Sequence, residues 1–145
     1  MFLFIFIQSL FAQEKKSIAV LELNPAGVSN VESQILSDRL RSELFNSGKF
    51  IVLERDKINE ILNEQGFQQS GCSTNECAIE IRNLIGVGHM VAGNIGNLAD
   101  MYILTIRLID VETGRVLQTA TQDCKCPITS VLTQSIKIAA DQLSG

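Results

Sequence analysis

The stretch SIAVLELNPAGVSNVESQILSDRLRSELFNSGKFIVL, residues 17–53, decides the fold. Its first seven residues are a near-continuous apolar run closed by Asn24-Pro25-Ala26-Gly27, the pattern of a strand buried on both faces and ended by a turn. Ser29 and Glu32 have the spacing of a capping box, and Val31, Ile35, Leu36, Leu40 and Leu44 recur at helical spacing behind them. A helix is therefore predicted, with Gly48 as its natural stop. Residues 49–53, KFIVL, form a second β-rich run. A helix between two such runs is most economically a right-handed βαβ unit with its two strands parallel.

Downstream, Asp56 can open a second helix whose inner face is Ile58, Ile61, Leu62 and Gln65, closed by Gly66. Ser73 and Glu76 form another capping box, ahead of a third helical stripe on Cys77, Ile81, Leu84 and Ile85 that ends at Gly86. From Val87 the pattern becomes extended, over 89–96, 102–110 and 115–124, with short polar turns between. In the turn Asp110-Val111-Glu112-Thr113-Gly114, Gly114 would supply the positive φ of a type I turn with a following bulge. Pro127 starts a last helix with the stripe Ile128, Val131, Leu132, Ser135, Ile136, Ala139 and Leu143. The predicted fold is mixed α/β (α+β): one mixed sheet of about five strands, a βαβ start followed by an antiparallel meander, with helices packed on it. It is a single domain over 17–143, without repeats or low-complexity linkers.

The first twelve residues, MFLFIFIQSLFA, are uncharged and apolar, and the polar run Gln13-Glu14-Lys15-Lys16 follows them. A bilayer core of about 30 Å needs about 20 apolar residues as helix, so this block is too short to span it. It reads as a secretory leader over 1–12 with the small residue Ala12 at the cleavage site, although no basic residue precedes it. The expected location is the periplasm, with no membrane span in the mature chain. No cysteine follows the leader directly, so no lipid anchor is expected.

Of the seven Phe, four lie in that leader, which leaves Phe45, Phe50, Phe67 and Tyr102 as the aromatics of the mature domain. With a net charge of −4 and Lys and Arg mostly scattered singly, the chain offers neither stacking platforms nor a basic track for nucleic acid.

The four cysteines, Cys72, Cys77, Cys124 and Cys126, are an even set in a chain read as exported, which favours disulfides. Four cysteines allow three connectivities. Closing Cys124 onto Cys126 is expected to strain the bridge, so the expectation is that each joins one of Cys72 and Cys77. Such bridges are structural. The spacings C-x4-C and C-x-C do not match zinc knuckles, and no C-x-x-C redox motif is present.

His89 is the sole histidine, and spacing assigns it no Ser or Cys partner, so no nucleophile and base pair emerges. Gly86, Gly88, Gly93 and Gly96 fail as a phosphate loop, because Val91 stands where the third glycine belongs and the segment enters a strand. Strand glycines more readily permit a bulge or a close backbone approach. Asp110 and Glu112 are better explained by the turn than as paired acids. No catalytic, cofactor-binding or metal-ligating residue is therefore assigned, and no cofactor is expected.

The opening strand SIAVLEL, the strand and helix FIVLERDKINEIL, the segment GCSTNECAIEIRNLIGVGHMVAGNIG and the hairpin YILTIRLIDVETGRVL, in this order, resemble the CsgG-like family. That family comprises the periplasmic domain of curli secretion channels and the related lipoprotein activators of penicillin-binding proteins. The resemblance implies a non-enzymatic envelope domain that binds other envelope proteins, self-associates, or both. It would act in outer-membrane secretion or assembly, or else as a regulator of a cell-wall synthase. The curli channel adds an anchor and membrane-spanning hairpins, neither of which is found in this sequence, so pore formation by this chain alone is not implied.

Overall fold

The computed structural model describes residues 15–64 and 86–145. The leader and the helical stripe on Cys77, Ile81, Leu84 and Ile85 lie outside them, as do Gln65, Gly66, Cys72 and the capping box of Ser73 and Glu76. The elements in order are β1 (Lys16–Val20), β2 (Asn24–Ala26), α1 (Asn30–Asn46), β3 (Phe50–Val52), α2 (Arg55–Glu64), β4 (His89–Leu98), β5 (Met101–Asp110) and β6 (Val116–Cys124). A last helix, α3, covers 128–143 as an α-helical turn Ile128–Ser130, a π-helical turn Val131–Ser135 and an α-helix Ile136–Leu143.

They build one mixed sheet in the order β3-β1-β4-β5-β6, with β2 also on β4. β1 is parallel to both β3 and β4, as a right-handed βαβ start requires, and β4, β5 and β6 run antiparallel. The mixed α/β fold predicted from the sequence is the fold observed, with six strands among the described residues where about five were expected.

The additional strand is β2. Asn24-Pro25-Ala26, read as a closing turn, instead resumes the pairing that β1 leaves. Val20 lies opposite Val91 and Asn24 opposite Asn94, four residue steps against three, so β1 and β2 are one strand interrupted by an extra residue. Proline fits there at the restart of a short strand.

Polar side chains of α1 satisfy the interrupted backbone. Leu23 N–H donates to Ser37 Oγ over 2.9 Å, Ser33 Oγ donates to the Leu23 carbonyl, and Arg41 Nη2 donates to the Val20 carbonyl over 2.7 Å. Ser33, Ser37 and Arg41 are four residues apart, so they share one helical face with Leu36, Leu40 and Leu44, and all six are buried. This corrects the predicted inner face. Val31 and Ile35 are 66 % and 51 % exposed, because the face that must meet the strand break carries hydrogen-bonding side chains. The capping box of Ser29 and Glu32 forms as predicted, and the helix stops at Ser47, before Gly48.

The sheet separates two cores. On one face, Ile18, Val20, Val91, Ile95, Leu104 and Ile106 meet α1 and α3. On the other, Ala19, Leu21, Met90 and Ile109 meet Ile58 and Leu62 of α2. Antiparallel alternation places Ile103, Thr105 and Arg107 of β5 on that second face.

Two tight turns order the meander. Asp110 Oδ1 accepts from the Glu112 and Thr113 amides, and Gly114, at φ 73°, returns the chain so that Asp110 N–H reaches the Arg115 carbonyl over 2.8 Å. Between β4 and β5 the turn residues Ala99 and Asp100 have φ 49° and 64°, the left-handed pair of a two-residue hairpin. Gly93 marks a close approach of strands, since a Cβ there would stand 2.2 Å from the Thr105 carbonyl oxygen.

Candidate functional site

The residues considered for chemistry are dispersed in structural roles. His89 opens β4 between Ile18 of β1 and Asp110 of β5. Burial, then the charge of Lys16, push its pKa below the ordinary 6.5, while Asp110 pulls the other way. Asp110, the residue opposite it, is committed to the β5–β6 turn. Glu112 is exposed in that turn, so the two acids form no shared site. Among the described residues no group of three His, Cys, Asp or Glu side chains is placed to hold a metal ion. No helix among them is long and apolar enough to cross a membrane.

The cysteine pairing departs from expectation. Cys124 is joined to Cys126, with Cα atoms 5.3 Å apart, inside the separation that a disulfide accommodates. β6 ends at Cys124 and the chain bends before Pro127, which brings the two side chains to the same side. The cross-pairing to Cys72 and Cys77 is therefore corrected for this pair.

A partly buried charge network lies under α1, with Arg41 its buried member. Arg41 donates to Asp38 over 2.7 Å, and Arg55 reaches Glu22 over 3.2 Å and Asp38 over 3.6 Å. Desolvation lowers the Arg41 pKa, with Asp38 opposing it. This network ties α1 and the start of α2 to the break between β1 and β2; Arg41 directs Nη1 to Asp38 and Nη2 to the Val20 carbonyl, while its Nε is buried without a partner among the described residues.

The remaining features are surfaces suited to macromolecules. Beside β3, a cleft of about 340 Å³ opens between Val52, Leu53, Arg41 and Phe45. Between α1 and α3, a smaller apolar cleft of about 160 Å³ is lined by Ile35, Leu36, Ile128 and Leu132. A further feature is the outer edge of β6, which ends the strand order among the described residues. Asp110 turns its backbone toward β6, so alternation along β5 also turns Leu108, Ile106, Leu104 and Tyr102 that way. Their partners Gln118, Ala120, Gln122 and Cys124 bond inward. Thr119, Thr121 and Asp123 are left with N–H and C=O pointing out of the sheet, and among the described residues no strand pairs with them.

The sequence reading did not single out this edge. It missed the buried Ser33, Ser37 and Arg41 face, whose signal is a polar i, i+4, i+8 series running alongside the leucines.

The family model described as curli production assembly/transport component CsgG matches residues 7–101. Solved structures share the fold. The chain is similar to the LpoB C-terminal domain from Escherichia coli, at 18 % identity and TM-score 0.62 over 75 % of this chain and 82 % of that one. Lipoprotein GNA1162 from Neisseria meningitidis is similar at 11 % identity and TM-score 0.65, over 90 % and 97 % of the two chains. The PelC dodecamer from Paraburkholderia phytofirmans is similar at 14 % identity and TM-score 0.60, over 90 % and 89 %. No curated protein sequence matches the chain.

Proposed function

The chain belongs to the CsgG family of curli production assembly/transport components, and from that premise we propose that it is an exported, non-catalytic protein-binding and assembly module of the cell envelope. The family match carries the reading. It is supported by the dispersal of His89, Asp110 and Glu112 into separate structural roles, and by a surface that offers a strand edge and open clefts, among them those beside β3 and between α1 and α3. In this reading residues 1–12 are a leader, the domain over 17–143 works in the periplasm, and its partners are envelope proteins in a secretion or assembly complex.

Fractionation of cells producing the full chain, with N-terminal sequencing of the product, tests the placement. The reading expects a processed chain in the periplasmic or envelope fraction, crosslinked there to other proteins in fixed proportion. An unprocessed chain in the cytosol, uncrosslinked, contradicts it.

A further inference from the structure

Apart from a bulge at Leu117, between the pairs Leu108–Gln118 and Ile109–Val116, the outer edge of β6 lacks the devices by which sheet edges usually avoid pairing. It is nine residues long, and from Val116 to Gln122 it contains no charge and no proline. The three outward-facing residues, Thr119, Thr121 and Asp123, are all exposed. An edge of this kind is a template for another strand.

We infer that β6 pairs antiparallel with β6 of a second copy, about a two-fold axis at Ala120, continuing the sheet from one chain into the other. The sequence of the edge is self-complementary in that register. Thr119 stands opposite Thr121 of the second copy and Gln118 opposite its Gln122, each pair occurring twice, so threonines meet on one face and amides on the other. Cross-strand Thr pairs are among the favourable ones. Asp123 falls opposite the bulge at Leu117 of the second copy, so no like charges face each other within the strand. The register uses the outward N–H and C=O groups of Thr119 and Thr121 as a hydrogen-bonded pair and leaves the β5–β6 ladder untouched. A two-fold contact of this kind is closed, and it commits both edges to one interface.

The inference deepens the proposed function by naming a second copy as one partner. Its test is sedimentation of the full chain across concentration, combined with amide hydrogen exchange. The expected result is a monomer–dimer equilibrium in which the Thr119 and Thr121 amides become protected as the dimer forms. Thr121→Pro removes an outward donor and leaves every bond to β5 in place. It should weaken self-association by about 100-fold or more, whereas Thr121→Val should preserve it. Should the proline variant unfold, the exposed pair Thr119→Lys and Thr121→Lys sets Lys against Lys twice across the axis and should give the same loss.

A monomer at every concentration overturns the inference. So does a dimer insensitive to both the proline and the double-lysine variants, or assembly that passes the dimer into a ring. A monomer still held in an envelope complex overturns the pairing alone and leaves the proposed function standing.

Discussion

Arg41 of α1 donates to the carbonyl of Val20, the last residue of β1, over 2.7 Å. With Ser37 on the Leu23 amide and Ser33 on the Leu23 carbonyl, this contact gives the Val20 and Leu23 backbone groups at the strand break buried partners. β2 can then resume on β4, and the helix is fixed in rotation about its axis.

Removing these groups should therefore cost more than surface polar changes. Ser37→Ala leaves the Leu23 amide without its acceptor, and a buried unsatisfied donor costs about 1–3 kcal/mol. Arg41→Met keeps most of the aliphatic stem and exposes the same kind of loss at Val20, with a similar expected cost of about 1–3 kcal/mol. Thermal unfolding should fall by roughly 3–10 °C for each variant. Exposed Ser42→Ala, on the same helix, should move it by less than about 2 °C. Equal shifts for Ser42 and Ser37 would contradict the role assigned to the break.

The β4–β5 hairpin carries two L-residues in left-handed backbone, Ala99 at φ 49° and Asp100 at φ 64°. Left-handed backbone costs an ordinary L-residue about 1–2 kcal/mol, which Asn and Gly largely avoid. Ala99→Asn combined with Asp100→Gly should stabilise the fold by about 1–2 kcal/mol. Chemical denaturation should show this as a raised midpoint with an unchanged slope. A lowered midpoint would mean that the turn differs from the two-residue form described.

His89 should make stability depend on pH in one direction. Its folded pKa lies below the ordinary 6.5, so on acidification the unfolded chain takes up the proton first. Stability is then full above about pH 6.5, falls as the pH drops toward the folded value, and levels off below it. Denaturation midpoints measured from pH 7.5 to 5.5 should decline more steeply for the native chain than for His89→Gln. Identical slopes would show that burial at the start of β4 does not reach the imidazole.

The Cys124–Cys126 pairing predicts a specific digest. Cleavage under non-reducing conditions should release a peptide containing both residues with an internal bridge, two hydrogens lighter than its reduced form. A peptide linking either of them to Cys72 or Cys77 would restore the pairing expected from sequence. The loop closed is short, so Cys124→Ser with Cys126→Ser should cost only about 1–2 kcal/mol.

Much of the fold was legible because its signals are local. The capping box of Ser29 and Glu32, the stripe of Ile58 and Leu62, and the Gly114 turn each act within a few residues, and each forms as read. The interruption between β1 and β2 was not legible. Asn24-Pro25 has turn chemistry, and it becomes a strand through pairing with Asn94 and Ile95, some seventy residues away. The rotation of α1 was hidden for the same reason, since Ser33, Ser37 and Arg41 read as a solvated face until the backbone groups of Val20 and Leu23 are placed beneath them. The cysteine pairing turned on chain direction after β6, which composition does not encode. For the candidate site, spacing ruled out familiar catalytic motifs but could not single out β6, because an edge is defined by what lies beside it in space.

The most direct test of the account is the native mass and location of the protein in the cells that make it. Gentle extraction of the envelope followed by native mass measurement should find the full chain, processed at its N-terminus, in an assembly of at least two polypeptides. A single unprocessed polypeptide recovered from the cytosol would contradict the account.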